Sequence, residues 1–231
     1  GGLYIFQGHT VLNGGEISFN TALNDGGGME IGDPKGRFTQ TGGEIFSNSA
    51  NNMGGGIYIA QGILTISGGT IHTNDGVLGG GGIATGLSSN STIANSAILS
   101  NTTAVSATGG GIKNEGTLTL TNVTLSGNSA SIGAGLANSG TADLTNVTVS
   151  ENGATNNGGG LNSSSGTLTI GNSIIFGNTA PSGSDCSGVI TSAGNNVADA
   201  TQCNGEIEFN PLLQPLALNG GDTLNYALAA G

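Results

Sequence analysis

Basic residues are scarce in this chain of 231 residues, which has 3 Lys and Arg against 14 Asp and Glu and a formal net charge of −11 at pH 7. Proteins that bind nucleic acid neutralise phosphates with a basic face, so the composition argues against a nucleic-acid partner. It also argues against enzymes that grip polyuronates, because these need Arg or Lys beside the cleaved sugar. A weakly charged, acidic chain is soluble and suits an extracellular setting.

Helical and membrane patterns are missing as well. No segment has the apolar spacing of a helix or a continuous apolar run of about 18 residues, so we expect neither a helical bundle nor a membrane-inserted segment. There is no P-loop, dinucleotide-binding or nucleophile motif. His9 and His72 have no Ser or Cys partner that the spacing would nominate. No motif of a known catalytic class is therefore present.

The chain is instead built from a repeat, which is clearest in residues 109–128, GGGIKNEGTLTLTNVTLSGN. A glycine run and an aliphatic residue lead into alternating polar and apolar residues and a final asparagine. Two such markers recur about once every 26 residues, which is the period of a repeat architecture. The aliphatic markers are Leu3, Met29, Ile57, Ile83, Ile112, Leu136 and Leu161. The closing asparagines are Asn20, Asn48, Asn74, Asn101, Asn128, Asn152 and Asn178.

Each unit holds about three short segments with strand-like alternation, separated by Gly, Asn and Ser. A unit of this size cannot bury its own apolar face, so neighbouring units must stack and share one core. We therefore predict an all-β fold, a right-handed parallel β-helix (solenoid) of about seven coils over residues 1–180. The repeat is lost from Pro181 onwards, and residues 181–231 are predicted to cap the last coil.

The closing asparagines should form a column along the solenoid. Stacked asparagine side chains can donate amide to carbonyl from coil to coil, which stabilises stacked β structure. A buried asparagine ladder is the main prediction, and a polar binding stripe is the alternative.

Cys186 and Cys203 are the only two cysteines. In a glycine-rich repeat protein they predict one disulfide and an oxidising compartment. Closing this loop would stabilise the cap by roughly 3 kcal/mol in the chain-entropy model. Two thiols without a nearby histidine argue against a metal site.

Glu16 and Glu44 occupy the same place in adjacent units and are expected to point outward about 5 Å apart. Two carboxylates at that distance could serve a retaining glycosidase or hold Ca²⁺. Asp25 and Asp33 lie in nearby turns and favour the calcium hypothesis. The alternative is a pair of solvated surface acids. No other cofactor is expected.

A second candidate site is an outward column on the first three coils, formed by Tyr4, Glu30 and Tyr58. Two aromatic rings beside a carboxylate could stack on sugar rings and bind their hydroxyl groups. Ordinary surface decoration is the alternative.

Threonine pairs form a third outward pattern. They recur in Thr39-x-Thr41, Thr65-x-Ser67, Thr92-x-Ala94, Thr119-x-Thr121, Asp143-x-Thr145 and Thr169-x-Gly171. Some ice-binding proteins present hydroxyl and methyl groups in this way on a flat β-helix face. The strand propensity of threonine also accounts for most of the pattern, and Ala94, Asp143 and Gly171 interrupt it.

GGGIKNEGTLTLTNVTLSGNSA and its neighbours resemble the coils of large secreted bacterial β-helix proteins of the pectin-lyase-like superfamily. The pairing of Gly-Gly-aliphatic with aliphatic-x-x-Asn is similar to the repeats of polymorphic outer-membrane, autotransporter-type adhesins. The segment from Asp185, with its cysteine pair, Pro-Leu-Leu and Asn-Gly-Gly, resembles the segment that closes many such surface proteins. The resemblance implies export, a bacterial surface location and a passive or adhesive role, and it supplies no catalytic residues.

Together these observations predict a secreted or cell-surface β-helix module with a structural or adhesive role. Its expected partner is a carbohydrate or a host or cell surface. A polysaccharide-active enzyme, glycosidase or lyase, that uses Glu16 and Glu44 is the first alternative. An ice-binding protein is the second.

Overall fold

The computed structural model describes residues 1–203 and 210–229, and this part of the chain is almost entirely β structure. The strands stack in parallel into a solenoid. In chain order they are β1 (Leu3–Ile5), β2 (Gly8–Ser18), β3 (Thr21–Ala22), β4 (Met29–Ile31), β5 (Gly36–Phe46), β6 (Ser49–Ala50), β7 (Ile57–Ile66), β8 (Thr70–His72), β9 (Asp75–Gly76), β10 (Ile83–Leu99), β11 (Thr102–Thr103), β12 (Ile112–Asn114), β13 (Thr117–Ser126), β14 (Ser129–Ile132), β15 (Leu136–Asn138), β16 (Thr141–Thr145), β17 (Thr148–Ser150), β18 (Gly153–Asn157), β19 (Leu161–Ser163), β20 (Thr167–Gly171), β21 (Ile174–Ile175), β22 (Cys186–Gly188), β23 (Thr191–Ser192) and β24 (Val197–Ala198).

Each coil contributes one segment to each of three faces of the solenoid. Face 1 runs from β1 through β4, β7, β10, β12, β15 and β19 to β22. Face 2 runs from β2 through β5, β7, β10, β13, β16 and β20 to β23. Face 3 runs from β2 through β5, β8, β10, β13, β17 and β21 to β24. Long strands such as β10 and β13 turn the corner from face 2 to face 3 without a break, and β3, β6, β9, β11, β14 and β18 form a smaller fourth ladder.

The parallel β-helix prediction is confirmed, with about eight turns in place of the predicted seven. The extra turn is built by β22, β23 and β24, which pair with the last predicted coil. It lies inside the segment predicted to be the cap, because its three strands are too short to show the repeat in the sequence. The division of the chain at residue 180 stays a prediction.

Alternation along the strands places one set of side chains inside. The aliphatic residue three places before each closing asparagine is fully buried in coils two to seven, at Ile45, Ile71, Ile98, Leu125, Val149 and Ile175. Burial of such a side chain contributes roughly 1.5–3 kcal/mol, so the stacked core is the main source of stability. Some inward positions are polar; Gln40, for example, is completely buried in the column that continues as Ile66 and Ile93.

The glycine run and the asparagine of each unit are linked by packing. A methyl group added at Gly82 would lie 2.7 Å from the carbonyl oxygen of Gly111 and 3.1 Å from the side-chain amide of Asn101. Only glycine lets the chain pass over the ladder at this distance. This close approach explains why both sequence markers keep the same period.

The C-terminal part closes the solenoid. Cys186 and Cys203 form the predicted disulfide, with their Cα atoms 5.2 Å apart, and Cys203 ends the one-turn helix α1 (Ala200–Cys203). Residues 210–229, here called the C-terminal segment, fold into a loose hairpin with two antiparallel bridges. No helix within residues 1–203 and 210–229 is long and apolar enough to cross a membrane.

Candidate functional site

The asparagine ladder lies inside the solenoid. Each rung's side-chain oxygen accepts two hydrogen bonds from the preceding asparagine, one from its backbone N–H and one from its side-chain amide. The amide of Asn74, for example, donates to Oδ1 of Asn101 at 3.0 Å. The ladder is confirmed. Burial of the rungs from Asn48 to Asn178 leaves no surface for the alternative, a binding stripe.

A second row of asparagines lies at the surface, where face 2 meets face 3. These residues are Asn95, Asn122, Asn146 and Asn172, and all have φ between 49° and 57°. Asparagine tolerates this left-handed conformation better than most residues, which explains its place at the corner. The amide of each residue donates to the side-chain oxygen of the one before it. The signal was present in the sequence, since Asn122, Asn146 and Asn172 are 24 and 26 residues apart, but it was missed.

The C-terminal segment folds back across face 3. The hydroxyl group of Tyr226 lies 2.6 Å from Oγ of Ser126, a hydrogen bond between residues 100 positions apart. Burial raises the pKa of Tyr226 to about 12, and Glu151 acts in the same direction, while the bond to Ser126 opposes them. The tyrosine is therefore a neutral hydrogen-bonding group over the ordinary pH range.

A cleft of about 810 Å³ opens between this segment and the row of exposed asparagines where face 2 meets face 3. We call it the corner cleft, and it runs along coils two to six. Its polar groups are mostly neutral hydroxyls and amides, among them those of Thr41, Thr70, Asn122, Asn146, Thr148 and Tyr226. Glu44 and Asp222 are the carboxylates, and none of the described lining residues is Lys or Arg. This volume is typical of small-molecule sites.

The two predicted catalytic carboxylates have different surroundings. Glu16 and Glu44 are in register on adjacent strands, as expected, and both are exposed. Glu44 lines the corner cleft, whereas Glu16 is not among the lining residues. Glu44 instead lies 3.7 Å from Nε2 of His72, so that histidine has a carboxylate partner that spacing alone did not reveal. The catalytic assignment stays a prediction.

The candidate sugar-binding column on face 1 is in register, with Tyr4 beside Glu30 and Glu30 beside Tyr58. Tyr4 is exposed, and the other two side chains are half-buried. Burial raises the pKa of Glu30 and of Tyr58, and the carboxylate of Asp25 adds to both shifts. The column thus forms an acidic surface with two phenol rings, and its role in binding stays a prediction.

The described residues lend the calcium hypothesis no support. Oδ1 of Asp25 accepts the N–H of Met53 and so links two adjacent coils, whereas Oδ1 of Asp33 accepts the N–H of Lys35 and stabilises a local turn. Within residues 1–203 and 210–229, no group of three or more His, Cys, Asp or Glu is placed to hold a metal ion.

The threonines of face 2 are also in register and face solvent. One column contains Thr39, Thr65, Thr92, Thr119, Asp143 and Thr169. Asp143 interrupts it with a charge, as the sequence showed. Ice binding by this face stays a prediction.

Comparison with known proteins supports the fold. The family model described as right-handed beta helix region matches residues 13–180. Searches of curated proteins and of solved structures returned no match. Since the family model covers more than half of the chain, this protein belongs to the right-handed β-helix region family.

Proposed function

We propose that this chain is a rigid adhesive module of an extracellular or bacterial cell surface that binds neutral glycan in the corner cleft. The observation that carries the proposal is the cleft's lining, in which hydroxyl and amide groups outnumber charged groups. Such groups match the hydroxyls of a neutral sugar, which both donate and accept hydrogen bonds. A net charge of −11 disfavours anionic polysaccharides by like-charge repulsion.

The scaffold also suits an adhesive role. The ladder and the stacked core hold the solenoid wall of the cleft in one geometry, so little ordering entropy is lost there on binding. The disulfide supports an oxidising, extracellular location. We propose that the chain shares its origin with the bacterial β-helix surface proteins of the pectin-lyase-like superfamily that its repeats resemble.

A glycan array with the purified protein tests the proposal, followed by calorimetry on the best ligand. Thr148→Val removes one hydroxyl from the cleft at constant shape, and we expect binding to weaken about five-fold. Thr119→Val is the matched control, because Thr119 also faces outward from a strand but lies on face 2. Equal binding by both variants, or binding only to polyuronates, would contradict the proposal. Tyr4→Ala and Tyr58→Ala, measured on the same ligand, test the face 1 column as an additional contact.

Polysaccharide hydrolysis in the same cleft is a second candidate. It is favoured by the presence of two carboxylates in the lining, Glu44 from the solenoid and Asp222 from the C-terminal segment, since glycosidases use a pair of carboxylates. Mass spectrometry of the bound glycan would detect products. Cleavage that is lost in Glu44→Gln while binding is retained would make the protein an enzyme; binding without products would leave the adhesive module.

A further inference from the structure

Three aromatic side chains lie side by side at one end of face 3, on the first three coils. The rings of Phe46 and His72 are parallel, with an interplanar angle of 2° and centroids 5.0 Å apart. The ring of Phe19 meets Phe46 nearly at a right angle, at 79° and 5.4 Å. We call these three residues the aromatic strip.

Phe19 is costly for the fold in two respects. Its side chain is 77% exposed, and its φ of 55° lies in the left-handed region, which bulky residues rarely adopt. The residues at the same turn in the other coils are smaller or polar: Ser47, Thr73, Ser100, Gly127, Glu151 and Gly177. An exposed aromatic ring held in an unfavourable backbone conformation points to a role outside folding.

The strip approaches the corner cleft through His72, while Phe46 and Phe19 extend it over the two preceding coils. His72 and Glu44 both line an adjoining cleft of about 450 Å³, whose other wall is formed by Leu216, Leu218 and Leu224 of the C-terminal segment. Glu44 also lines the corner cleft. A ligand that lies along the solenoid axis can therefore contact both the polar cleft and the aromatic strip.

We propose that the aromatic strip is a stacking subsite for a neutral, β-linked glucan chain; the inference rests on the proposed function of the corner cleft. In a gluco-configured ring the hydroxyls are equatorial and the two ring faces present C–H groups, which pack on aromatic side chains. The carboxylate of Glu44 accepts hydrogen bonds from the hydroxyls at the ring's edge. A uronate in the same place would bring its own carboxylate towards Glu44 and is rejected.

Calorimetry with cellohexaose and laminarihexaose tests the subsite. Phe19→Ser introduces the residue that coils two and four carry at this turn, so the fold is retained. We expect about ten-fold weaker binding of the preferred oligosaccharide. Phe6→Ser is the matched control, because Phe6 is 58% exposed but lies outside the strip. This variant should bind the oligosaccharide with the affinity of the unmodified protein.

If Phe19→Ser binds the oligosaccharide with wild-type affinity while Thr148→Val in the corner cleft still weakens binding, the subsite is overturned and the proposed function stays intact. Failure of the unmodified protein to bind either oligosaccharide, while another neutral glycan binds on the array, would do the same. A concentration-dependent dimer in sedimentation analysis that disappears in Phe19→Ser would make the strip a contact between two copies and would also overturn the inference.

Discussion

Asp185 accepts the last hydrogen bonds of the asparagine ladder, from the side-chain amide of Asn178 at 2.9 Å and from its backbone N–H at 3.0 Å. The carboxylate of Asp185 has no N–H group that could donate to a further rung, so the ladder of side chains ends here. The backbone N–H of Asp185 donates to Oε1 of Gln202, beside the disulfide. The eighth turn is thus closed by a hydrogen bond and a covalent bond together.

The Asp185 carboxyl gives the cap a pH dependence. Burial raises its pKa above the usual 3.8, although the hydrogen bonds from Asn178 oppose the shift. A carboxyl with a raised folded pKa stabilises the fold below its unfolded pKa, and this stability is lost as the pH rises through the folded value. Asp185→Asn keeps an acceptor oxygen without the charge. We expect the variant to be more stable at pH 7 by up to about 1 kcal/mol, allowing for partial exposure.

Thermal unfolding at a series of pH values from about 3.8 upward measures this effect. As the pH rises through this series, the free energy of unfolding of the unmodified protein should fall relative to that of Asp185→Asn. Asp143→Asn, at an exposed position on face 2, serves as the control. If the stability of the wild type and of Asp185→Asn changes in parallel with pH, the carboxyl of Asp185 does not titrate in this way.

Removal of a central ladder rung should be severe. Asn101→Ala leaves the backbone N–H of Asn74 and one N–H of its side-chain amide buried without their acceptor, while the other amide N–H still donates to the carbonyl oxygen of Ile45. We expect a loss of at least about 3 kcal/mol in the free energy of unfolding, because each buried orphan group costs roughly 1–3 kcal/mol. Asn122→Gly removes hydrogen bonds from the exposed row and keeps a residue that accepts the left-handed φ, so it should cost less than about 1 kcal/mol. Chemical denaturation of both variants compares them, and equal losses would be inconsistent with this account.

Gln40 offers a stabilising substitution. Among residues 1–203 and 210–229, its Oε1 atom is buried without a hydrogen-bond partner, and its Nε2 donates to the carbonyl oxygen of Gly43. Leucine at this position would match Ile66 in the next coil and remove the orphan acceptor. We expect Gln40→Leu to raise the free energy of unfolding by about 1 kcal/mol. The exposed Gln61→Leu should change it by less than about 0.5 kcal/mol, and a destabilised Gln40→Leu would indicate that the amide is needed.

Tyr226 should hold the C-terminal segment on face 3. Its pKa of about 12 lies above the usual 10, so its contribution is complete below pH 10 and is lost as the pH rises through about 12. We expect Tyr226→Phe to eliminate the component of the tyrosinate absorbance titration near pH 12, with Tyr4→Phe as the control. The variant should also be cleaved faster by proteases within residues 210–229, because a hydrogen bond worth about 1 kcal/mol is lost. Unchanged cleavage would mean that other contacts suffice.

Features tied to the period were accessible from the sequence. Three sets of residues are in register as expected: the closing asparagines, their aliphatic partners such as Ile98, and the column of Tyr4, Glu30 and Tyr58. The disulfide was also predicted correctly. Asp185 was missed as a rung because the preceding spacing of about 26 residues shrinks to seven between Asn178 and Asp185.

The sequence by itself therefore determined the parallel β-helix, its core and its ladder, because a repeat that cannot bury its own apolar face has to stack in register on its neighbours. Only the tertiary structure decided which surface forms the candidate site. The pairing of Ser126 with Tyr226 and the shared cleft of Glu44 and Asp222 join segments that follow no common period. Such contacts depend on how the C-terminal segment returns across face 3, and no local pattern encodes that path.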